Sequence, residues 1–219
     1  KAMTASLSSM AQLTHNLSFD ATDIQALRQM LKEKGEPMGL NKVTLNDIVL
    51  YAVARTLKDP AFKALNANLL DGSRMKYFRG VHLGMAVDTE RGLMVPTIFD
   101  ADRMSLQEIS AAAKKLAAEC QAGTINPDLM RGASFTVSNL GALGIESFTP
   151  VINPPQTGIL GVNTIVTRVR EANGQLVGYP AMGLSLTYDH RALDGSPASR
   201  FLKALKENLE NFTMLLAKG

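Results

Sequence analysis

Tyr188-Asp189-His190-Arg191-Ala192-Leu193-Asp194-Gly195 joins a long strand pattern to the start of a closing helix. Histidine is the side chain best suited to exchange a proton near neutral pH. At a strand-to-loop junction its ring can be held while one nitrogen faces a cleft, so His190 is a candidate general base. Asp194, four residues on, is expected to fix the loop through an inward ion pair, and Gly195 to permit the turn into the helix. An isolated histidine in such a place is more often structural, and the residues around it decide.

On either side of this segment the chain alternates strands and helices. Gly158 to Arg170 and Gln175 to Tyr188 read as strands joined across Ala172-Asn173-Gly174. Ser134 to Ser138 is a further strand, and Ser196 is expected to cap a last helix carrying Phe201, Leu202, Leu205 and Leu209. Upstream, residues 11 to 19 alternate as a strand. Asp20 is a candidate N-cap for a helix with Ile24, Leu27, Met30 and Leu31 on one face. Thr44-Leu45-Asn46-Asp47 resembles a capping box, and Pro60 lies past that helix's end. Asp71-Gly72-Ser73 turns a hairpin, and His82 to Val87 and Met94 to Phe99 read as strands. Ser105 caps an alanine-rich helix that Gly123 stops. The mixed order predicts one α/β domain over residues 1–219 around a central mixed sheet.

Composition removes several classes. The chain has 219 residues, 46% hydrophobic and 20% charged, enough to bury a core without disulfides or metal. Cys120 is the only cysteine, which fits a reducing compartment. A net charge of +3, spread along the chain, and no tryptophan argue against nucleic acid. No apolar run approaches the roughly 18 residues that cross a bilayer. His15 and His82 are read as structural, and no spacing suggests a metal site. Because Lys1-Ala2-Met3 reads as the middle of a helix, an excised domain of a longer polypeptide is expected.

Four blocks in order carry a resemblance. They are Asp88-Thr89-Glu90-Arg91-Gly92-Leu93-Met94-Val95-Pro96, Ser134-Phe135-Thr136-Val137-Ser138-Asn139-Leu140-Gly141, Asn153-Pro154-Pro155-Gln156 and Asp189-His190-Arg191-Ala192-Leu193-Asp194-Gly195. Together they make the chain resemble, over essentially its whole length, the catalytic domains of the dihydrolipoyl acyltransferases. These are the E2 components of 2-oxoacid dehydrogenase complexes.

The resemblance implies a chloramphenicol acetyltransferase-like α/β fold, a mixed-sheet sandwich with flanking helices that forms homotrimers with active sites at subunit interfaces and builds larger cores. It implies acyl transfer, acetyl being the choice, between coenzyme A and a dihydrolipoyl group carried on a separate lipoyl domain, without metal. On that analogy His190 is the base, Ser138 supplies a hydroxyl to the oxyanion from a neighbouring subunit, and Asp194 organises the loop. Ser8, Asp88, Ser138 and Asn139 match positions that line the coenzyme A channel. Lipoyl and peripheral-subunit-binding domains are expected upstream, with E1 and E3 enzymes bound through them. The setting implied is bacterial cytoplasm, or the mitochondrial matrix if eukaryotic. Neither nucleic acid nor membrane is an expected partner.

Other readings stay open. Serine at position 138 looks like acetyl and branched-chain enzymes, whereas many succinyl enzymes carry threonine. An acetoin-type enzyme and a free-standing chloramphenicol acetyltransferase-like enzyme are alternatives. A peptide-synthesis condensation domain usually has a second histidine directly before the first, where this chain has Asp189. A scaffold without catalysis is opposed by the presence of both His190 and Ser138.

Overall fold

The computed structural model describes residues 2–218. The chain begins with α1 (Ala2–Ser9) and β1 (Gln12–Asp20), followed by α2 (Thr22–Lys34). Ala21, not Asp20, is the N-cap of α2, but the Asp20 carboxylate still accepts the Thr22 amide at 3.0 Å. α3 (Leu45–Leu57) opens on the expected capping box, in which Thr44 and Asp47 each accept the other's backbone N–H. Such a cap contributes about 1 kcal/mol. β2 (Ala67–Leu70) and β3 (Arg74–Tyr77) form the hairpin. β4 (Leu83–Met85) and β5 (Thr97–Ile98) are shorter than their apolar runs, and the pairing continues only as one bridge between Val87 and Met94. α4 (Leu106–Ala122) starts at the Ser105 box and ends at Gly123, whose φ of 70° supplies the left-handed stop. β6 (Phe135–Asn139), β7 (Gly158–Ala172), β8 (Gln175–Asp189), α5 (Gly195–Glu210) and α6 (Phe212–Ala217) complete the chain. Asn173 and Gly174, at φ 53° and 74°, turn β7 into β8.

The main sheet has six strands in the order β1-β8-β7-β6-β4-β5. β4, β6 and β7 run parallel, while β1, β8 and β5 are antiparallel to their neighbours. Alternation sorts the side chains. Phe135, Val137, Leu160, Val162, Leu184, Leu186 and Tyr188 join the helices in the apolar core. The intervening Thr136, Ser185, Thr187 and Asp189 are buried polar residues. Phe201 of α5 ties the layers together, its ring 5.9 Å from Phe135 and 5.5 Å from Phe62. α3 is buried along most of its length and packs against α2, α4 and α5. Burying each large apolar side chain in this way contributes about 1.5–3 kcal/mol. The expected α/β mixed sheet with flanking helices is present.

Between Val162 and Ile165 the β7–β8 register shifts, so two residues of β7 oppose one of β8. Asn163 sits in this bulge, 3% exposed. Its Nδ2 donates to Ser185 Oγ at 3.1 Å, and that hydroxyl donates to Asn16 Oδ1 at 2.7 Å, a polar chain across three strands. Asn163 Oδ1 is buried without a partner.

Candidate active site

The corner after β8 is built on Asp189. Its carboxylate is fully buried and accepts the Arg191 amide at 3.1 Å and the Arg191 Nη2 at 2.6 Å, with Nε shared between both oxygens. Its carbonyl accepts the Ala192 amide at 2.9 Å, and its own N–H donates to Thr157 O at 2.9 Å. Leu193 tucks into the core. Burial pushes the Asp189 carboxyl up, but the hydrogen bonds and charge of Arg191 outweigh it, and the group lies below the ordinary carboxylate value.

That rigid base presents His190. Its backbone N–H donates to Ala11 O at 2.8 Å, so the start of β1 pins the residue. The side chain is 45% exposed, with its ring 5.8 Å from that of Tyr188. Asp194 stands across the corner, its Oδ1 3.7 Å from His190 Nδ1, and is 85% exposed. The inward ion pair expected of Asp194 therefore belongs to Asp189 and Arg191. Asp194 is instead the N-cap residue of α5, without a side-chain cap bond, and Ser196 lies two residues too late to cap it. Gly195 is needed for space: a Cβ there would come within 3.2 Å of the Tyr188 hydroxyl and 3.3 Å of His15 Cε1.

Ser138 lies elsewhere. It pairs with Gly161, which pairs with Ser185, so two strand spacings and five residues of β8 separate it from His190. At about 4.8 Å per strand and 3.3 Å per residue, the gap exceeds about 15 Å. Within one chain the candidate base and hydroxyl do not meet.

A cavity of about 710 Å³, reached by Asn139 next to Ser138, lies between α2, α3, α4 and the ends of β4, β6 and β7. Asn139, Val87, Arg28, Lys114 and Asn163 are among its lining residues. Arg28 Nη1 and Asn163 Oδ1, on two of the lining residues, are buried without a hydrogen-bond partner. Asp88 directly follows the lining residue Val87, and Asn139 both lines the cavity and donates to Asn46 Oδ1 at 3.0 Å. Ser8, on α1, is exposed, does not line the cavity, and donates its hydroxyl to Ala5 O at 3.2 Å. Of the expected cofactor residues, Asn139 lines the cavity and Ser8, Asp88 and Ser138 do not. Arg28, Lys114 and Asn163 are missed by sequence reasoning, because nothing local distinguishes them from solvated helix or strand residues. Among the described residues no group of three or more metal-ligating side chains is close enough to hold a metal, and no helix is long and apolar enough to cross a membrane.

The mixed sheet with its flanking helices has counterparts among solved structures. A chloramphenicol acetyltransferase overlays with a TM-score of 0.54 at 14% identity, which shows the fold alone. Residues 1–217 match the family described as 2-oxoacid dehydrogenases acyltransferase (catalytic domain), and the chain belongs to it. It is 37% identical, over 98% of its length and 53% of the relative's, to the dihydrolipoyllysine-residue acetyltransferase component of the acetoin cleaving system of Bacillus subtilis. It is 38% identical, over 96% of its length and 45% of the relative's, to the mitochondrial dihydrolipoyllysine-residue succinyltransferase component of 2-oxoglutarate dehydrogenase complex 1 of Arabidopsis thaliana. The Azotobacter vinelandii dihydrolipoamide acetyltransferase, studied for a serine, a histidine and an asparagine in its catalytic mechanism, superposes with a TM-score of 0.92 at 34% identity, over 98% of this chain and 88% of that one. The chain spans about half the length of the curated relatives it matches.

Proposed function

We propose that this domain transfers an acetyl group between coenzyme A and a dihydrolipoyl group. The observation that carries the reading is His190, an exposed imidazole on a corner pinned by Asp189, Arg191 and Ala11. A thiol with a reference pKa of about 8.5 is mostly protonated at neutral pH, and a positioned base accelerates its attack roughly 10²–10⁴-fold. His190 takes the proton from the attacking thiol as its sulfur bonds to the thioester carbonyl carbon. The tetrahedral intermediate collapses by breaking the original carbon–sulfur bond, and the leaving thiolate receives the proton from His190. A hydroxyl donor to the oxyanion is worth on the order of 10²–10³ in rate.

Ser138 is that donor, supplied by a second copy of the chain, because its own His190 is too far away. A homotrimer with three interfacial sites satisfies this geometry. The cavity that Asn139 reaches suits coenzyme A: Arg28 and Lys114 offer positive charge to its phosphates, and the unpartnered Asn163 oxygen is an acceptor for an amide-bearing arm. Asp88, Asn139 and Ser8 complete the channel. In the Azotobacter vinelandii enzyme the asparagine follows the histidine by four residues, the place Asp194 holds here, which supports a role for Asp194 in orienting His190.

The names of the relatives, each a component of a larger system, support a place in a multienzyme assembly; within it we propose a trimer-built core served by a lipoyl domain, with E1 and E3 enzymes attached through upstream lipoyl and peripheral-subunit-binding domains. A bacterial cytoplasmic or mitochondrial matrix setting fits that reading. The test is initial rates of transfer to dihydrolipoamide from acetyl-, isobutyryl- and succinyl-CoA. Acetyl-CoA is expected to be fastest, and a wild-type protein inactive on all three refutes the reading.

A further inference from the structure

We propose that His15 and Tyr188 are positioning residues for His190, with one imidazole tying together both ends of the corner that carries the base. The inference rests on the acyl-transfer reading above. Tyr188 immediately precedes the corner, and Ser199 follows it at the start of α5. His15, on β1, reaches both: its Nε2 is 3.1 Å from the Tyr188 hydroxyl and its Nδ1 is 3.1 Å from Ser199 Oγ. A hydroxyl can donate or accept, so both bonds persist in either tautomer of His15.

The pair is packed against the functional residues. His15 meets the Tyr188 ring edge-on, with centroids 5.0 Å apart, and the Tyr188 ring in turn lies 5.8 Å from His190. Tyr188 is fully buried. Gly195 rests directly on the two, since even a Cβ there would stand only 3.2 Å from the tyrosine hydroxyl and 3.3 Å from the imidazole. The backbone at Gly195 leads straight to Asp194, whose carboxylate faces His190 Nδ1 at 3.7 Å. Burial, and then the charge of Asp194, pushes the Tyr188 phenol above its ordinary value, so it remains a neutral hydroxyl able to serve His15. Loss of the bridge frees both ends of a six-residue corner, and misplacing a reacting group by about 1 Å can cost on the order of 10²-fold in rate.

Three variants test this. Tyr188→Phe keeps the ring and loses the hydroxyl, His15→Ala removes both bonds, and His15→Asn retains a donor and an acceptor. The measurements are kcat and KM for acetyl-CoA and dihydrolipoamide, the unfolding midpoint, and a crystal structure of Tyr188→Phe beside wild type. We expect kcat to fall about 10- to 100-fold in Tyr188→Phe and His15→Ala, with each KM within about twofold. His15→Asn should recover part of kcat, and the crystals should show the His190 ring displaced relative to Asp194. A folded Tyr188→Phe with wild-type kcat, a loss confined to KM, or an unmoved His190 overturns the proposal. If His15→Ala does not fold, Tyr188→Phe carries the test alone. If wild type transfers no acyl group, the acyl-transfer reading has failed, and the crystallographic comparison still decides whether the pair positions His190.

Discussion

Asp189 and Arg191, two residues apart, form the ion pair that holds the corner carrying His190: Arg191 Nη2 donates to Asp189 Oδ2 at 2.6 Å, and the carboxylate is fully buried. Removing one partner of a buried pair typically costs about 3–5 kcal/mol. Arg191 is partly solvated, so Asp189→Asn is expected to cost about 2–4 kcal/mol in urea unfolding.

The same pair sets an acid limit. Asp189 has a folded value below the unfolded one of about 3.9, so its contribution is full above that pH and is lost as pH falls through the folded value. Unfolding free energy measured from about pH 7 to pH 3 should therefore fall more steeply for wild type than for Asp189→Asn. Parallel curves would show that Asp189 does not control acid stability.

His190→Ala should lower kcat by roughly 10²–10⁴-fold and leave stability nearly unchanged, because the ring is 45% exposed and packs little. Stopped-flow or steady-state acetyl transfer, paired with thermal unfolding, checks both halves.

His190→Ala and Ser138→Ala should each retain about 1% of activity or less alone yet complement when mixed. With random trimers from equal amounts, one interface in each mixed trimer pairs an intact base with an intact hydroxyl, giving roughly a quarter of wild-type sites. No recovery after verified subunit exchange would mean that the two residues do not share a site.

Asp194→Asn should retain activity within about fivefold. Its carboxylate, at 3.7 Å from Nδ1 and 85% exposed, is too far to accept a hydrogen bond and is well screened by water. A loss of about 10³-fold or more would instead make its charge essential, as in a triad.

Arg28→Ala should raise KM for coenzyme A roughly 10-fold with little change in kcat, the size of one charge-assisted hydrogen bond. Arg28 lines the cavity and its Nη1 has no partner, which motivates the choice.

The elements with local signals were legible in the sequence. The Thr44–Asp47 box, the Ser105 and Gly123 ends of α4, and the Asn173-Gly174 turn depend on residues a few positions apart, and all are present. The His190 loop was found for the same reason. What escaped depends on which strands lie side by side. Pairing of β1 with β8 brings His15 to Tyr188 and Ala11 to His190, although each pair is separated by more than 170 residues. The ion pair was assigned to Asp194 because spacing reveals neither that β8 buries Asp189 nor that Arg191 folds back on it. The split between Ser138 and His190 follows from sheet order, which no local pattern encodes.

The Ala11–His190 hydrogen bond joins the residue before β1 to the corner after β8, far apart in sequence. Loop closure over that separation comes late in folding, and synthesis delivers residue 190 long after residue 11. An unfinished chain on the ribosome thus already holds the strand that will carry Ser138, but has no anchored imidazole. The imidazole is anchored only after β8 has been made and has zipped against β1.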